Sequence, residues 1–384
     1  MNESRATVSV SACDDYAPEH VMAALRKTLE PLGGMGAFVH VGQTVLIKPN
    51  LLSPRPPEEC VTTHPALVAA VVTLCREAGA ERVWVGDSPA GAHSEEILWQ
   101  KTGMTDVVSA AGGELKSFTS DGSRVCGDRT VAAPPWIDDV DVIISLPKVK
   151  THILTMLTCA LKNTYGLIPG ESKSLYHSDF PSPRSMARFL LDVYEAFRPT
   201  LHIADGVQAL EGQGPANGTP VHVGILAASV DGAALDAVLA RLFGLHPKSI
   251  PMLRYAGERD IGETDPTHID AIGDGLERLN STQLRLSSGR FLQKLPEGVF
   301  HLVTWMLAYR PAVDPKLCVS CGICAEICSQ DAIRKTETGE YAIDRARCIL
   351  CMCCMESCPK HAISVRSPFH TLRKTLAKLR RTDP

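Results

Sequence analysis

The sequence lacks the features that would place the chain in a membrane or in a common nucleotide-binding class. Its longest apolar run, Val299–Tyr309, is too short to span a bilayer. The first residues show no apolar signal segment. Neither a P-loop nor a G-x-G-x-x-G fingerprint occurs. We therefore expect a cytoplasmic protein without a transmembrane segment and without either kind of nucleotide site.

A surplus of basic charge and a disulfide framework are also missing. The formal net charge is −4 and the pI is near 6.4, which argues against a general nucleic-acid-binding protein. Of the fourteen cysteines, six are scattered without disulfide-like spacing, as expected in a reducing compartment. These six are Cys13, Cys60, Cys75, Cys126, Cys159 and Cys353.

The other eight cysteines form two runs of C-x2-C-x2-C-x3-C that begin thirty residues apart, at Cys318 and Cys348. Such a tight loop points three thiolates at one cluster, and the fourth ligand must come from elsewhere. Structural zinc sites use pairs of C-x2-C, which a duplicated four-cysteine run fits poorly, and a disulfide knot is the other alternative. The spacing therefore favours iron–sulfur clusters.

The two runs resemble a bacterial-type ferredoxin with two [4Fe–4S] clusters. In that family the first three cysteines of a run bind one cluster and the fourth binds the other. The resemblance assigns one cluster to Cys318, Cys321, Cys324 and Cys358, and its neighbour to Cys348, Cys351, Cys354 and Cys328. Two positions depart from the family pattern without removing a ligand: Ser329 replaces a proline, and Cys353 is an extra thiol.

Upstream of the cysteines, short apolar strands alternate with helical patterns. Strands are predicted at 7–12, 44–48, 82–86, 141–146, 201–205 and 221–228. Helices are predicted to open at Pro18 and Pro65 and to cover 185–197 and 233–243. This alternation predicts an α/β fold, with a largely parallel sheet flanked by helices, plus a small α+β ferredoxin-like domain.

Charged residues gather where these strands end. Ligands of open α/β sheets bind outside the carboxyl ends of the strands, so these residues are candidates for one site, although charges also mark where buried strands reach solvent. The residues concerned are Lys48, Asp87, Lys148, Asp205 and Asp231.

The segment 146–177 holds four lysines and two histidines against one acid, Glu171. Its lysines alternate with Leu, Ile, Met and Tyr rather than with polar residues. A cationic wall of a pocket for a carboxylate or phosphate fits this pattern, and a solvated loop is the alternative.

Residues 7 to about 280 resemble the domain of unknown function 362 family. The resemblance rests on Ile47–Asn50, Thr62–Pro65, Gly86–Ser88, Leu146–His152, Leu161–Gly166, Asp205–Gly206 and Glu211–Pro215. Members often carry a C-terminal ferredoxin-type module, and the family implies no established reaction. Its motifs contain the candidate binding residues Lys48, Asn50, His64, Asp87, Lys148, Lys150, Asn163, Asp205 and Glu211.

A second likeness is to the N-terminal domain of the nickel-pincer lactate racemase. That family has a histidine ten residues before the lysine that tethers its cofactor, followed by Pro-Gly. Here His152 and Lys162 are ten residues apart, and Pro169-Gly170 lies beyond. The resemblance implies a shared fold and site location, while Cys159–Leu161 replaces the lead-in of that family.

The domain organisation follows from these patterns. We expect an α/β domain at 1–285, an apolar helical connector at 286–312, the two-cluster domain at 313–366 and a basic tail at 367–384. The connector would dock the ferredoxin domain onto the α/β domain.

The leading hypothesis is a ferredoxin-coupled oxidoreductase, in which two [4Fe–4S] clusters carry electrons between a soluble ferredoxin and an anionic substrate. Lys48, Lys148 and Lys150 would bind the anion, and His152, Lys162 or His177 would supply protons. Asp87 and Asp205 would orient those groups or hold a cation.

Two alternatives stay open. In the first, the chain is an electron carrier or metal-cofactor assembly protein that binds a client through its connector and tail without catalysis of its own. In the second, the racemase-like hypothesis, the α/β domain binds nickel. The sequence identifies neither the substrate nor the oligomeric state.

Overall fold

The computed structural model describes residues 5–89, 94–153, 155–287 and 310–366. Its strands are β1 (Ala6–Ala12), β2 (Thr44–Pro49), β3 (Arg82–Val85), β4 (Glu114–Leu115), β5 (Gly122–Cys126), β6 (Arg129–Ala133), β7 (Val142–Leu146), β8 (Lys148–His152), β9 (Met156–Thr158), β10 (Leu201–Gln213), β11 (Asn217–Ser229), β12 (Ile269–Ile272), β13 (Arg310–Val313), β14 (Ile333–Lys335), β15 (Tyr341–Ile343) and β16 (Ile363–Arg366).

The α-helices connect these strands and lie beside them. They are α1 (Pro18–Leu29), α2 (Pro65–Glu77), α3 (Glu95–Lys101), α4 (Met104–Ala110), α5 (Ala160–Asn163), α6 (Gly170–Asp179), α7 (Pro183–Phe197), α8 (Gly232–Leu239), α9 (Pro251–Glu258), α10 (Leu276–Ser281), α11 (Ile323–Glu326) and α12 (Cys353–Glu356). Short 3₁₀ helices occupy Glu30–Leu32, Met35–Ala37, Pro57–Glu59, Pro135–Asp139, Thr164–Leu167, Ala240–Phe243, Pro247–Ser249 and Pro266–His268.

Ten strands form one mixed sheet in the order β12-β1-β11-β10-β7-β2-β3-β4, with β8 beside β10 and β9 beside β8. The central strands β10, β7, β2 and β3 run parallel to one another, as do β8 with β10 and β12 with β1. This confirms the predicted α/β fold with a largely parallel sheet.

Strand β11 differs from the expectation, because it runs antiparallel to both β1 and β10. It follows β10 through a hairpin rather than a helical crossover, so its carboxyl end lies at the opposite edge from that of β10. Asp231, which follows β11, is therefore separated from the other strand-end charges. Its side chain instead accepts hydrogen bonds from the Ala233 and Ala234 amides and caps α8.

Both faces of the sheet are covered, as its apolar strands require. On β2, Val45 and Ile47 pack into the core beneath α1, α2 and α4, whereas Leu46 points into the core beneath α7, α8 and α9. The sheet is thus buried between two helical layers, and its polar residues concentrate at the strand ends.

The C-terminal module is a small α+β unit with internal repetition, as predicted. β13 pairs with β16 and β14 with β15, both antiparallel. Positive φ angles recur thirty residues apart, at Ser320 and Leu350 and again at Gly322 and Met352. The two cysteine loops therefore share one backbone conformation. Most of the predicted connector (288–309) and the whole basic tail (367–384) lie outside the described residues.

Candidate functional site

Two lysine–carboxylate pairs lie at the carboxyl ends of the parallel strands. Lys48 Nζ lies 2.7 Å from Asp87 Oδ1, and Lys148 Nζ lies 2.9 Å from Asp205 Oδ2. All four residues are at most 4% exposed. Buried charges are tolerated only when they are paired, and here each lysine has an aspartate as its counter-charge. The two aspartates hold lysines here, in place of the cation considered from the sequence.

An amide network connects the first pair with a third buried lysine. Asn163 Oδ1 accepts hydrogen bonds from Lys48 Nζ at 3.1 Å and Asn50 Nδ2 at 3.2 Å. Lys150 Nζ donates to Asn50 Oδ1 at 2.6 Å and to the Val61 carbonyl at 2.7 Å. Burial, helped by the charge of Lys162, lowers the pKa of Lys150 well below its ordinary value. Lys150 therefore acts as a buried hydrogen-bond donor.

A cavity of about 50 Å³ opens in front of this network. This volume exceeds what one water molecule needs, so the cavity has room for a small polar molecule. The α/β domain supplies most of its walls, and the ferredoxin module supplies the remainder. The lining residues are Asn50, Leu52, Asp87, Ser88, His152, Lys162, Asn163, Tyr165, Gly166, Lys173 and His177, together with Ile327, Cys353 and Glu356 of the ferredoxin module.

Gly166 is required by the close packing of one wall. A Cβ atom at this position would overlap the Asp87 carboxylate and the Lys48 amine. Its carbonyl accepts a hydrogen bond of 3.0 Å from the Ser88 amide, which fixes the wall against the loop after β3. Glycine thus allows the backbone to approach the buried ion pair.

The contact between His152 and Glu356 joins the two domains inside the cavity. His152 Nε2 lies 3.4 Å from Glu356 Oε1, and the two residues are 2% and 6% exposed. The Thr155 amide donates to His152 Nδ1 at 3.3 Å, so the neutral ring carries its hydrogen on Nε2, facing the carboxylate. Burial lowers the pKa of His152 to about 4, and Lys162 adds to this effect.

Glu356 stays ionised in this environment. Burial alone would raise its pKa, but the hydrogen bond from His152 and the nearby positive charge of Lys162 outweigh burial and lower the pKa to about 2. The ferredoxin module therefore places a negative charge inside a cavity formed mainly by the α/β domain.

Two lysines and a second histidine complete the polar lining. Lys162 makes no ion pair within 4 Å in the described part of the chain. Burial lowers its pKa, and the Glu356 carboxylate partly offsets that effect. Lys173 Nζ donates to the Ser88 carbonyl, and burial lowers the pKa of Lys173 to about 7. Burial lowers the pKa of His177 to about 4, so its ring is neutral at pH 7.

Asp236 positions the short helix α5, which carries Lys162 and Asn163 into the cavity. Its carboxylate accepts hydrogen bonds from the Ala160 amide at 2.7 Å and the Leu161 amide at 3.1 Å. Burial raises the pKa of Asp236 to about 7 although these hydrogen bonds oppose the change. α5 has only one turn, so this cap from α8 holds its orientation.

Some of the predicted site residues do not line the cavity. Lys148 and Asp205 form a separate cluster with Tyr16, whose hydroxyl donates a hydrogen bond of 2.6 Å to Asp205. The Tyr16 ring stacks on the ring of His64. The His64 ring nitrogen accepts from the Ala66 amide and caps α2. Glu211 pairs with Arg285 and accepts from its backbone amide at 2.7 Å. Of the predicted set, the cavity gathers Asn50, Asp87, His152, Lys162, Asn163 and His177, with Lys48 and Lys150 hydrogen-bonded behind Asn50 and Asn163.

The eight cysteines of the two C-x2-C-x2-C-x3-C runs surround two further cavities. The outer set is Cys318, Cys321, Cys324 and Cys358, and the inner set is Cys328, Cys348, Cys351 and Cys354. Each set takes its fourth member from the other run, as the ferredoxin resemblance implies. The Ala332 and Ala362 amides donate to the Cys328 and Cys358 sulfurs, both at 3.3 Å. Four thiols with apolar walls and amide donors fit a cubane cluster in each cavity.

Cys353 lines both the inner cysteine cavity and the cavity that contains Lys162. The inner cysteine set is therefore separated from the α/β cavity by a single layer of residues on α12. The other departure from the ferredoxin pattern, Ser329, lies 2.9 Å from Ser178 of α6 through the two hydroxyl oxygens. Both departures thus lie where the ferredoxin module contacts the α/β domain.

A buried arginine makes a second contact between the domains. Arg55 is 2% exposed, and its Nη2 donates to the Cys358 carbonyl at 2.7 Å. Its Nη1 pairs with Glu59 Oε2 at 2.9 Å, and Asn217 Nδ2 donates to the Ile363 carbonyl at 3.1 Å. The segment after Cys358 is thereby held on the α/β domain.

Comparison with known proteins agrees with this architecture. A family model described as "Domain of unknown function (DUF362)" matches residues 45–241, just over half of the chain. The chain belongs to the DUF362 family. A model described as "4Fe-4S binding domain" matches twice, at 311–334 and 341–364. This DUF362 protein therefore binds two [4Fe–4S] clusters, which we call the outer and the inner cluster after their cysteine sets.

A curated relative is the thylakoid-associated protein sll1697 of Synechocystis sp. It is 38% identical over 253 residues, which cover 64% of this chain and 77% of the relative. Because the name associates that relative with thylakoids, the cytoplasmic location of the present chain stays a prediction. Each helix in the described ranges is too short or too polar to cross a membrane.

Two solved structures are similar to part of the chain. A Thermotoga maritima protein has a TM-score of 0.36 at 14% identity, covering 58% of this chain and 57% of its own length. The lactate racemase apoprotein of Thermoanaerobacterium thermosaccharolyticum has a TM-score of 0.39 at 13% identity, covering 62% and 57%. The chain thus spans less than three fifths of either structure.

Alanine substitutions of the cysteines test the crossed ligand sets. Cys358→Ala and Cys321→Ala should abolish the same EPR signal, because both belong to the outer set, although they lie in different runs. Cys328→Ala and Cys351→Ala should abolish the other signal. Each variant should retain about half of the iron. Loss of one common signal by Cys358→Ala and Cys351→Ala would contradict the crossed assignment.

Proposed function

We propose that the chain is an iron–sulfur oxidoreductase that reduces a small anionic substrate in the cavity shared by its two domains. A soluble donor such as a ferredoxin would supply the electrons, and the two clusters would carry them through the module. The observation that supports this most strongly is the position of Cys353 and Glu356. They lie on the helix of the inner cysteine set and also line the cavity that contains Lys162, Lys173 and His177.

The charges in the cavity favour an anion of low charge. The Lys48 and Asp87 charges cancel within their own ion pair. Lys162 and Lys173 then face the single carboxylate of Glu356, so one further negative charge would neutralise the lining when both lysines are protonated. With a cavity of about 50 Å³, a small carboxylate or oxoanion fits this role better than a nucleotide does.

Lys162 is the group best suited to bind the anion. It lines the cavity and pairs with no carboxylate within 4 Å among the described residues, unlike Lys48 and Lys148. Asp236 fixes the helix that carries Lys162, so the ammonium group needs little reorganisation when a substrate binds.

Lys173 is better matched to proton donation than the two histidines. Its pKa of about 7 makes it a proton donor near neutral pH, where general acid catalysis is most effective. His152 and His177, with pKa values of about 4, are neutral there and can contribute ring N–H hydrogen bonds only. We therefore propose Lys173 as the donor in preference to His152 and His177, and assign Lys162 to anion binding.

The client-binding alternative depends on the connector and the tail, most of which lie outside the described residues. The racemase-like alternative requires tightly bound nickel, which elemental analysis of the purified protein would reveal. The cavity contacts of Cys353 and Glu356 support the oxidoreductase proposal.

Substitution of Lys162 tests the proposal. Reduced protein is mixed anaerobically with a panel of small carboxylates and oxoanions, and cluster reoxidation is followed by visible absorption. At least one acceptor should reoxidise the wild type, and Lys162→Met should slow that reaction by about 10- to 100-fold, because a charge-assisted hydrogen bond is lost. Lys101→Met, at an exposed position on α3, serves as the matched control. Equal rates in both variants, or no acceptor at all, would contradict the proposal.

The pH dependence of the same reaction tests Lys173. The pKa of this lysine is lowered to about 7, so the protonated donor predominates below pH 7 and is lost above it. The reoxidation rate should therefore fall as the pH rises through about 7, and Lys173→Met should be slow with no such fall. A wild-type profile that is flat between pH 6 and 8 would exclude Lys173 as the donor.

A further inference from the structure

The two clusters differ in the charges that surround them, and this difference bears on the order in which they accept electrons. Reduction adds one negative charge to a cluster. Nearby positive charge, hydrogen-bond donors and water stabilise that charge and raise the reduction potential, whereas nearby negative charge lowers it. The inference concerns the clusters themselves and holds whether or not the cavity turns over a substrate.

The outer cluster lies closer to water. Cys321 is exposed, and the neighbouring Leu317 and Val319 are 50% and 57% exposed. Each set has one buried member, Cys358 or Cys354, but the other three cysteines of the inner set are only half-buried and none of its members is exposed, and the neighbouring Met352 and Met355 are 2% and 1% exposed. Solvent therefore stabilises the reduced outer cluster more than the reduced inner cluster.

Arg55 adds a buried positive charge beside the outer cluster only. Its Nη2 donates to the carbonyl of Cys358, a member of the outer set, and the Arg55 side chain is 3% exposed. Its partner Glu59 is 40% exposed, so water screens the opposing carboxylate more than it screens the guanidinium.

The inner cluster has a buried negative charge instead. The Glu356 carboxylate is 6% exposed and lines a cavity that shares Cys353 with the inner cysteine cavity, so it lies beside the inner cluster and opposes further negative charge there. Two positive groups oppose it in part: Lys162 on the other side of the cavity, and the half-buried Arg310, which precedes Pro311 in the wall of the inner cysteine cavity. The described residues that line the two cluster cavities include no carboxylate, so the difference in buried negative charge comes from Glu356 alone.

We propose that Arg55 holds the outer cluster at a higher reduction potential than the inner cluster, so that the first electron resides on the outer cluster and the second on the inner. Each cluster gains one electron, and both come from the external reductant. The cavity then faces the cluster that fills last. A substrate would meet the stronger reductant only when a second electron is already stored on the outer cluster.

An anaerobic potentiometric titration followed by EPR tests this order. The reductant is dithionite, applied to the full-length protein with both clusters present. Wild-type protein should show two separate one-electron steps. Cys321→Ser assigns them, because it alters the signal of the outer cluster alone and that signal should belong to the earlier step.

Arg55→Met should lower the midpoint of the earlier step and leave the later one in place. A tenfold change in the reduction equilibrium corresponds to about 59 mV for one electron, and we expect a shift of about this size. Arg55→Lys, which keeps the charge, should shift the midpoint less. Glu356→Gln should raise the later midpoint only.

Glu59→Gln provides a milder test if Arg55→Met fails to assemble its clusters. This substitution removes an exposed carboxylate and should raise the earlier midpoint without affecting the later one. The proposal is overturned if the outer-cluster signal belongs to the later step, or if neither the Arg55 nor the Glu59 variants move the earlier midpoint.

Discussion

The ionised side chain of Glu356 is the constraint on which the arrangement of the two domains depends. A buried carboxylate is costly unless groups of the opposite charge or hydrogen-bond donors surround it, and its partners here, His152 and Lys162, belong to the other domain. The cluster helix α12 therefore has a compensated environment only when it is docked on the cavity. Arg55 is the converse case, because this buried guanidinium of the α/β domain donates a hydrogen bond to the Cys358 carbonyl of the ferredoxin module.

This constraint also explains which lysines remain for function. Parallel strands bring Lys48, Lys148 and Lys150 to one edge of the sheet, where burial forces each to find a partner. Two pair with aspartates and the third with an amide and a carbonyl. Lys162 and Lys173 lie beyond the sheet edge and line the cavity. Asp87 lines the cavity with Lys48 and Lys150 hydrogen-bonded behind it, and the segment after β9 supplies the groups that face a substrate.

The sequence predicts much of this because its strongest signals are local. Cysteine spacing determines the two cluster loops, and the short apolar runs of β2, β3 and β7 indicate buried parallel strands. The direction of β11 was not accessible in the same way, since an apolar strand buried on both faces reads alike in either direction. Glu356 was missed as a site residue because its role depends on contacts across the domain boundary, whereas Lys173 was predicted only as one of the four lysines of the cationic wall. The extra Cys353 and the unusual Ser329 were the visible signals of that boundary.

The central claim is that the α/β cavity and the inner cluster form one electrostatic unit. The most direct measurement is the pair of cluster midpoint potentials in Lys162→Met, determined by anaerobic EPR-monitored titration beside the wild type. Loss of the Lys162 charge should lower the midpoint potential of the inner cluster and leave that of the outer cluster unchanged. The reason is that Cys353 and Glu356, on helix α12 beside the inner cluster, line the same cavity as Lys162. Two unchanged midpoints would contradict the account, since the inner cluster would then be insensitive to charge in the cavity.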